Sequence, residues 1–164
     1  MAQAIDFVIP WVDGSDPVLR EKMFRALPPG AEAATNRYRD WELLNYWFRA
    51  VEQFAPWVNR IHLITSNQCP SWLNTNHPKL NLVFHEDYIP GAYLPCFSSH
   101  PIELNMHRIP GLAEHFVYFN DDMFLLRPVT PDLFFKKGLV CELVVRFAPL
   151  LTRGFFLTLT TQLP

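Results

Sequence analysis

The chain has 164 residues, of which 49% are hydrophobic and 15% aromatic, and its formal net charge is -2. A chain of this length and composition can bury the core of one domain, which excludes intrinsic disorder and disfavours two full domains. Lysine and arginine are scattered without a run, which excludes a protein that binds nucleic acid mainly through its phosphates.

The first third of the chain predicts one strand and two helices. The apolar run at 5–12 is typical of a buried strand, and the turn residues GSDP after it place Pro17 at the start of a helix over 17–27. Apolar side chains at spacings of three and four predict the strongest helix of the chain at 40–55. Asp40 is its candidate N-cap, and Pro56 ends it.

The rest of the chain alternates in the same way. Apolar runs predict strands at 60–66, 80–86 and 115–120, and a short helix begun by Ser99 and Pro101 is predicted at 99–109. Strands that alternate with helices favour an α/β fold, with a mostly parallel central sheet and flanking helices.

Carboxylates follow two of these predicted strands. Asp13 comes after the first strand, and the adjacent pair Asp121 and Asp122 comes after the last. Ligands of such sheets bind beyond the carboxyl ends of the strands. Neighbouring carboxylates recruit a counter-charge, and Mg²⁺ or Mn²⁺ suits them because hard cations take oxygen ligands and bridge to substrate phosphates. The alternative, at about even odds, is a solvated pair that caps a turn.

The cysteines and the apolar segments bear on location. Cys69, Cys96 and Cys141 are odd in number and far apart, which is typical of free thiols in a reducing compartment. No signal-peptide pattern precedes Asp6, and the apolar stretch after residue 138 is broken by charges and by Pro149. These features predict a cytoplasmic protein without a transmembrane segment.

Several short motifs occur in an order that is specific to one family. They are WVDGSDP, RYRD, APW, SWLN, HEDYIP, HRIPGL and NDD. Together they closely resemble the first and second conserved regions of the Stealth family. That family contains bacterial capsular polysaccharide phosphotransferases and the animal N-acetylglucosamine-1-phosphotransferase. The resemblance covers about residues 5–138.

The resemblance implies transfer of a sugar-1-phosphate from a nucleotide-sugar donor to a hydroxyl of a saccharide acceptor. A phosphodiester forms and a nucleoside monophosphate leaves, as in the synthesis of capsule or other cell-surface polysaccharide. It also implies a fold like that of nucleotide-sugar transferases. The expected location is the bacterial cytoplasm, and peripheral association with the inner face of the membrane is left open. Two alternatives stay open: a metal-dependent glycosyltransferase, and an inactive remnant that only binds nucleotide-sugar.

The matching motifs imply a catalytic set. His107 is the proposed general base, with Asp13 and His100 as further catalytic residues. The two histidines are seven residues apart, which is two helical turns, so one helix could turn both toward a cleft. Glu103, one turn before His107, could orient its ring.

The motifs also imply binding residues. Gly14 lets the backbone approach the nucleotide closely, and Asp16 caps the turn beside it. Arginine forks pair well with phosphate oxygens, so Arg37 and Arg108 are assigned to the phosphates, whereas Arg39 fits a surface ion pair equally well. The substrate-binding set is completed by Asn120, directly before the metal pair Asp121 and Asp122.

The family pattern ends before the chain does. Stealth proteins carry third and fourth conserved regions, and the stretch after FFKKGL no longer resembles the family. We therefore expect a truncated or frame-shifted chain, with a phosphotransferase portion at 5–138 and an atypical tail at 139–164. We also expect poor solubility or oligomers, a tail that is not stably packed, and no phosphotransfer by this chain alone.

Overall fold

The computed structural model describes residues 3–26 and 41–141, which fall into two units. One unit ends at Val129 and the other begins at Thr130. The predicted cap Asp40, the predicted phosphate ligand Arg37 and the tail beyond Cys141 lie outside the described residues. The predicted boundary at 138/139 stays a prediction.

A four-stranded parallel sheet organises the first unit. Its strands are β1 (Ile5–Pro10), β2 (Ile61–Thr65), β3 (Leu80–Phe84) and β4 (His115–Tyr118), in the spatial order β3-β2-β1-β4. Val8 of β1 lies opposite His62 of β2 and Tyr118 of β4, so the central strand is paired on both sides. The predicted α/β fold with a parallel sheet is confirmed.

Within residues 3–26 and 41–141, four α-helices connect or follow the strands. They are α1 (Pro17–Ala26), α2 (Leu44–Phe54), α3 (His85–Tyr88) and α4 (Ser99–Leu104). Asp16 caps α1, because its Oδ1 accepts a hydrogen bond from the backbone N–H of Val18 at 2.8 Å. Pro17 therefore occupies the first helical position, as predicted.

The strands predicted at 5–12, 60–66 and 115–120 are shorter in the structure, at Ile5–Pro10, Ile61–Thr65 and His115–Tyr118. Three further predicted boundaries are wrong, each for a local reason. Helix α2 begins at Leu44 and not near residue 40, because Glu42 has a φ of 57°, in the left-handed region. Strand β3 ends at Phe84 and not at 86, because Asp87 Oδ2 accepts the backbone N–H of Phe84 at 2.7 Å and starts α3 at His85.

The third correction concerns the helix predicted at 99–109. It begins at Ser99 but ends at Leu104, and a separate 3-10 turn covers Met106–Arg108. The side-chain amide of Asn105 donates to the carbonyl of Pro101 at 2.8 Å and occupies an acceptor at the end of the helix. The two predicted catalytic histidines therefore do not share one helix.

Both faces of the sheet are covered by apolar side chains. On one face Phe7 packs on Phe119, with ring centroids 4.8 Å apart, and Phe119 in turn packs on Trp47 of α2. On the other face Val8 joins a buried cluster with Ile64 of β2 and Val83 of β3. Successive residues of a strand point to opposite faces, so the continuous apolar run of β1 serves both cores.

The second unit contains a short antiparallel hairpin. Its strands are β5 (Phe135–Lys136) and β6 (Leu139–Val140). The connecting residues Lys137 and Gly138 have φ values of 55° and 78°, as a two-residue hairpin turn requires. In the described ranges, no helix has the length and apolar character needed to cross a bilayer.

Candidate functional site

A cleft of about 350 Å³ opens beyond the carboxyl ends of the parallel strands. Each strand contributes a residue at or directly after its end: Pro10, Ser66, His85 and Tyr118. The loop that precedes α4, and α4 itself, close one wall. Parallel sheets place ligands at this edge, so the fold positions the cleft where the sequence predicts the site.

The loop between β1 and α1 is held in a defined shape by its own side chains. Asp13 Oδ1 accepts hydrogen bonds from the backbone N–H of Ser15 at 2.8 Å and from its hydroxyl at 2.6 Å. Trp11 and Val12, the first two residues of this loop, line the cleft. Gly14 contributes a carbonyl that accepts a hydrogen bond from the guanidinium of Arg20 at 2.9 Å.

Gln68, a residue that sequence reasoning missed, ties this loop to the end of β2. Its Oε1 accepts the N–H of Asp13, and its Nε2 donates to the carbonyl of Asp13, both at 3.0 Å. The same Nε2 donates to Asp16 Oδ2 at 2.8 Å. This contact and the bond from Val18 lower the pKa of Asp16. A sequence offers no signal for such a contact across 52 residues.

The turn after β4 brings one of the two predicted metal ligands to the cleft. Asn120 and Asp121 line it, whereas Asp122 is exposed and lies outside the described lining. Met123 N–H donates to the carbonyl of Asn120 at 3.1 Å, which closes the turn. Adjacent residues of a turn point in different directions, so the pair does not enter the cleft as a unit.

The predicted residues of the α4 region separate into two groups. His100 lines the cleft, and its Nδ1 lies 3.1 Å from the hydroxyl of Ser98. His107 and Arg108 are exposed on the following 3-10 turn, outside the described lining. Glu103 Oε1 accepts a hydrogen bond from the hydroxyl of Tyr118 at 3.5 Å. The partner predicted for Glu103 was His107.

His85 and Cys96 line the floor of the cleft and were not predicted as site residues. Each side chain is 8% exposed, and His85 Nδ1 lies 3.8 Å from Cys96 Sγ. Burial lowers the pKa of His85 and raises the pKa of Cys96. Both shifts favour the uncharged forms, so this part of the floor carries a neutral imidazole and a neutral thiol at neutral pH.

A second group of polar side chains, the Asp6 network, lies toward the amino ends of the strands. It consists of Asp6, Asn59, His62 and Asn81. Asp6 accepts hydrogen bonds from Asn59 Nδ2 at 2.7 Å, His62 Nε2 at 2.9 Å and the backbone N–H of Ala113 at 2.8 Å. Asn81 Nδ2 donates to His62 Nδ1 at 2.9 Å, so the neutral ring carries its proton on Nε2.

The arrangement of acidic side chains limits how the cleft could hold a metal ion. Across residues 3–26 and 41–141, no three His, Cys, Asp or Glu side chains are grouped closely enough to hold a metal ion by themselves. Mg²⁺ is commonly held by one or two carboxylates together with substrate phosphates. Asp121, which is exposed in the cleft, fits that smaller role.

The residues that line this cleft lie in two segments of the chain, and both segments match conserved regions of one protein family. Residues 3–27 match conserved region 1 of the Stealth proteins, and residues 37–142 match their conserved region 2. The chain belongs to the Stealth family. Both matched regions of this Stealth chain contribute to the cleft, region 1 through Trp11 and Val12 and region 2 through His85, His100 and Asp121.

Named relatives of this Stealth chain are phosphotransferases of bacterial polysaccharides. Receptor polysaccharide phosphotransferase WefC of Streptococcus gordonii is 49% identical over 161 residues, which is 94% of this chain and 48% of the relative. Capsular polysaccharide phosphotransferase WcwK of Streptococcus pneumoniae is 52% identical over 138 residues, which is 81% and 42%. Exopolysaccharide phosphotransferase SCO6023 of Streptomyces coelicolor is 51% identical over 141 residues, which is 82% and 24%. This Stealth chain thus spans less than half the length of each.

Proposed function

We propose that this chain forms the donor-binding part of a polysaccharide phosphotransferase. In this role it binds a nucleotide-sugar and presents the sugar-linked phosphorus to a hydroxyl of a saccharide acceptor. The convergence of both conserved regions on one cleft at the carboxyl edge of the sheet supports this assignment. The relatives' names, which are receptor, capsular and exopolysaccharide phosphotransferases, support the reaction class and a role in bacterial polysaccharide synthesis. The proposed location is the cytoplasm, at the membrane surface.

The reaction exchanges one phosphorus–oxygen bond for another. The acceptor oxygen forms a bond to phosphorus, the bond to the nucleoside monophosphate breaks with its electron pair, and the acceptor proton must leave. We assign that proton to His100, because it is exposed in the cleft and an imidazole can accept a proton near neutral pH. His107 stays the alternative base, and Asp13 shapes the loop beside the donor.

We further propose that Asp121 and Asp122 contribute to a Mg²⁺ or Mn²⁺ site that forms with the donor phosphates. When bound, such a cation neutralises charge on the phosphates and on the leaving nucleotide. Asp121 has the position for direct contact, because it lines the cleft. The remaining assignments to substrate, which are Gly14, Asp16, Arg37, Glu103, Arg108 and Asn120, stay predictions.

Product analysis tests the proposed reaction. The chain is incubated with a panel of nucleotide-sugars, a saccharide acceptor and Mg²⁺, and the products are separated by mass. A nucleoside monophosphate and a phosphodiester-linked saccharide support phosphotransfer. A nucleoside diphosphate and a glycoside would instead identify a glycosyltransferase. Binding of the donor without either product would show that turnover requires sequence that the relatives have and this chain lacks.

Replacing each histidine in turn separates the two candidate bases in a chain that turns over. His100→Ala should lower kcat by about 10²-fold or more with little change in donor affinity, as expected for a proton-transfer group. His107→Ala is the matched variant on the exposed 3-10 turn and should leave kcat within about twofold. The reverse result would move the base to His107.

A further inference from the structure

The two ends of the cleft differ in charge. Because β3 and β4 are the opposite edges of the sheet, residues beyond them are separated by three strand spacings, roughly 14 Å. Beyond β4 the cleft is lined by exposed polar groups, Asn120 and Asp121. Beyond β3 it is lined by buried His85 and Cys96. A ligand that fills the cleft therefore meets a polar end and a neutral end.

The neutral end has six lining residues, which come from α1, from the ends of β2 and β3, and from the loop before α4: Leu19, Ile64, Ser66, His85, Cys96 and Phe97. Four of them offer apolar or weakly polar surface, and one of these, Phe97, is an aromatic ring that is half-buried. Ser66 adds a hydroxyl and His85 an imidazole. Pockets of this composition bind a mainly apolar group and orient it with a few polar contacts.

His85 can act there as a neutral hydrogen-bonding group. Burial is the main cause of its lowered pKa. The two nearby charges have opposite effects on that pKa, since Glu86 on α3 raises it and Lys22 on α1 lowers it. A neutral imidazole has one donor nitrogen and one acceptor nitrogen. With Nδ1 facing Cys96 Sγ, Nε2 is the nitrogen left for a ligand.

We propose that the neutral end is the subsite for the nucleobase of the donor, with the donor phosphates directed toward Asp121. The inference rests on the proposed function, since it names the part of the nucleotide-sugar that each end receives. A nucleobase is flat, has an apolar face for Phe97, and carries both donors and acceptors on its edge for Ser66 and His85. A sugar has hydroxyl groups all around its ring, which the apolar walls would leave unpaired. Phosphates are disfavoured there because burial penalises charge.

Thiol footprinting with the unmodified chain tests the proposal. Cys96 lies in the subsite, while Cys69 and Cys141 are exposed and serve as internal references. Alkylation by iodoacetamide is followed by mass spectrometry at mildly alkaline pH, where the buried thiol ionises enough to react. The probes are UMP, CMP, GMP, AMP and glucose 1-phosphate, each with Mg²⁺. A nucleoside monophosphate at ten times its Kd should slow alkylation of Cys96 about tenfold by mass action and leave the reference cysteines unchanged.

The pattern of protection decides the outcome. Protection of Cys96 by at least one nucleoside monophosphate but not by glucose 1-phosphate supports the subsite. Protection by glucose 1-phosphate alone overturns it, because the neutral end would then hold the sugar. Nucleotide binding without protection, or no nucleotide binding at all, also overturns it. Protection of Cys96 combined with glycoside products in the product analysis would refute phosphotransfer but would still support the nucleobase subsite.

A pair of histidine variants provides a second measurement. His85→Phe keeps an aromatic ring but removes both nitrogens, and it should weaken binding of the protecting nucleotide about tenfold, the size expected for one lost hydrogen bond in a buried site. His77→Phe is the matched control, because His77 lines a separate cavity beside α2. Equal affinity in the two variants, measured by calorimetry, would contradict a role for His85.

Discussion

The Asp6 network and the cleft use the same kinds of side chain at the two ends of one sheet. In the network, Asp6 and His62 are fully buried, and their polar atoms are paired with Asn59, Asn81 and the backbone. In the cleft, His100 and Asp121 are exposed. An acid and a histidine in proximity therefore do not by themselves mark a reactive site. Exposure at the carboxyl edge distinguishes the groups available to a ligand.

The largest effect on stability is expected from Asp6→Ala. The change removes the acceptor of three hydrogen bonds, from Asn59, His62 and the backbone of Ala113. Leaving these buried donors without an acceptor should lower the free energy of unfolding by about 3–5 kcal/mol. Urea denaturation followed by tryptophan fluorescence measures the loss. Asp13→Ala is the control at the cleft and should cost about 1 kcal/mol or less. Similar losses in both variants would remove the contrast between the two regions.

The second effect tests whether Gln68 couples the core to the cleft. Gln68→Ala removes three hydrogen bonds to the loop that carries Asp13 and Asp16 and should cost about 1–3 kcal/mol. It should also raise the pKa of Asp16, because the contact from Gln68 is the main cause of its lowered value. Carboxyl titration by NMR measures the second change. An unchanged Asp16 titration would show that the loop keeps its shape without Gln68.

The third effect is a decline of stability in mild acid. Burial lowers the pKa of His62 and of His85. The folded state therefore binds a proton less readily than the unfolded chain, whose histidines have an ordinary pKa of about 6.5. Stability is therefore fully present above about pH 6.5 and falls as the pH is lowered, by at most about 1.4 kcal/mol per pH unit for each imidazole. Urea denaturation at a series of pH values measures the slope. His62→Gln should make it shallower, and an unchanged slope would exclude His62 as a cause.

The smallest effect on stability is expected from the acidic pair. Asp121→Asn and Asp122→Asn change exposed side chains and should alter the free energy of unfolding by less than about 0.5 kcal/mol. Calorimetry with and without a chelator then tests the proposed metal. Asp121→Asn should abolish the Mg²⁺ dependence of nucleotide binding, and Asp122→Asn, whose side chain lies outside the described lining, should weaken it less. Binding that never depends on a divalent cation would leave the pair as a turn feature.

Several elements could be predicted because their causes are local. Asp16 and Pro17 specify the start of α1 by a cap and a preset φ, and the apolar run at 5–12 specifies a strand buried on both faces. The left-handed residue Glu42 and the side-chain caps from Asp87 and Asn105 changed the boundaries, because such contacts depend on geometry that composition and periodicity do not contain.

Periodicity, turn chemistry and motif order are properties of the chain read in order, so they were sufficient to predict the fold class, the family and the strand ends at which the candidate site lies. Which polar residues face the cleft depends on tertiary packing and could not be predicted. That packing paired His62 with Asp6 across 56 residues and His85 with Cys96 on the cleft floor, and it left His107 outside the described lining. Burial and long-range hydrogen bonding depend on how strands pair and stack, so a histidine acquires its environment, and with it its pKa, only when the sheet is assembled.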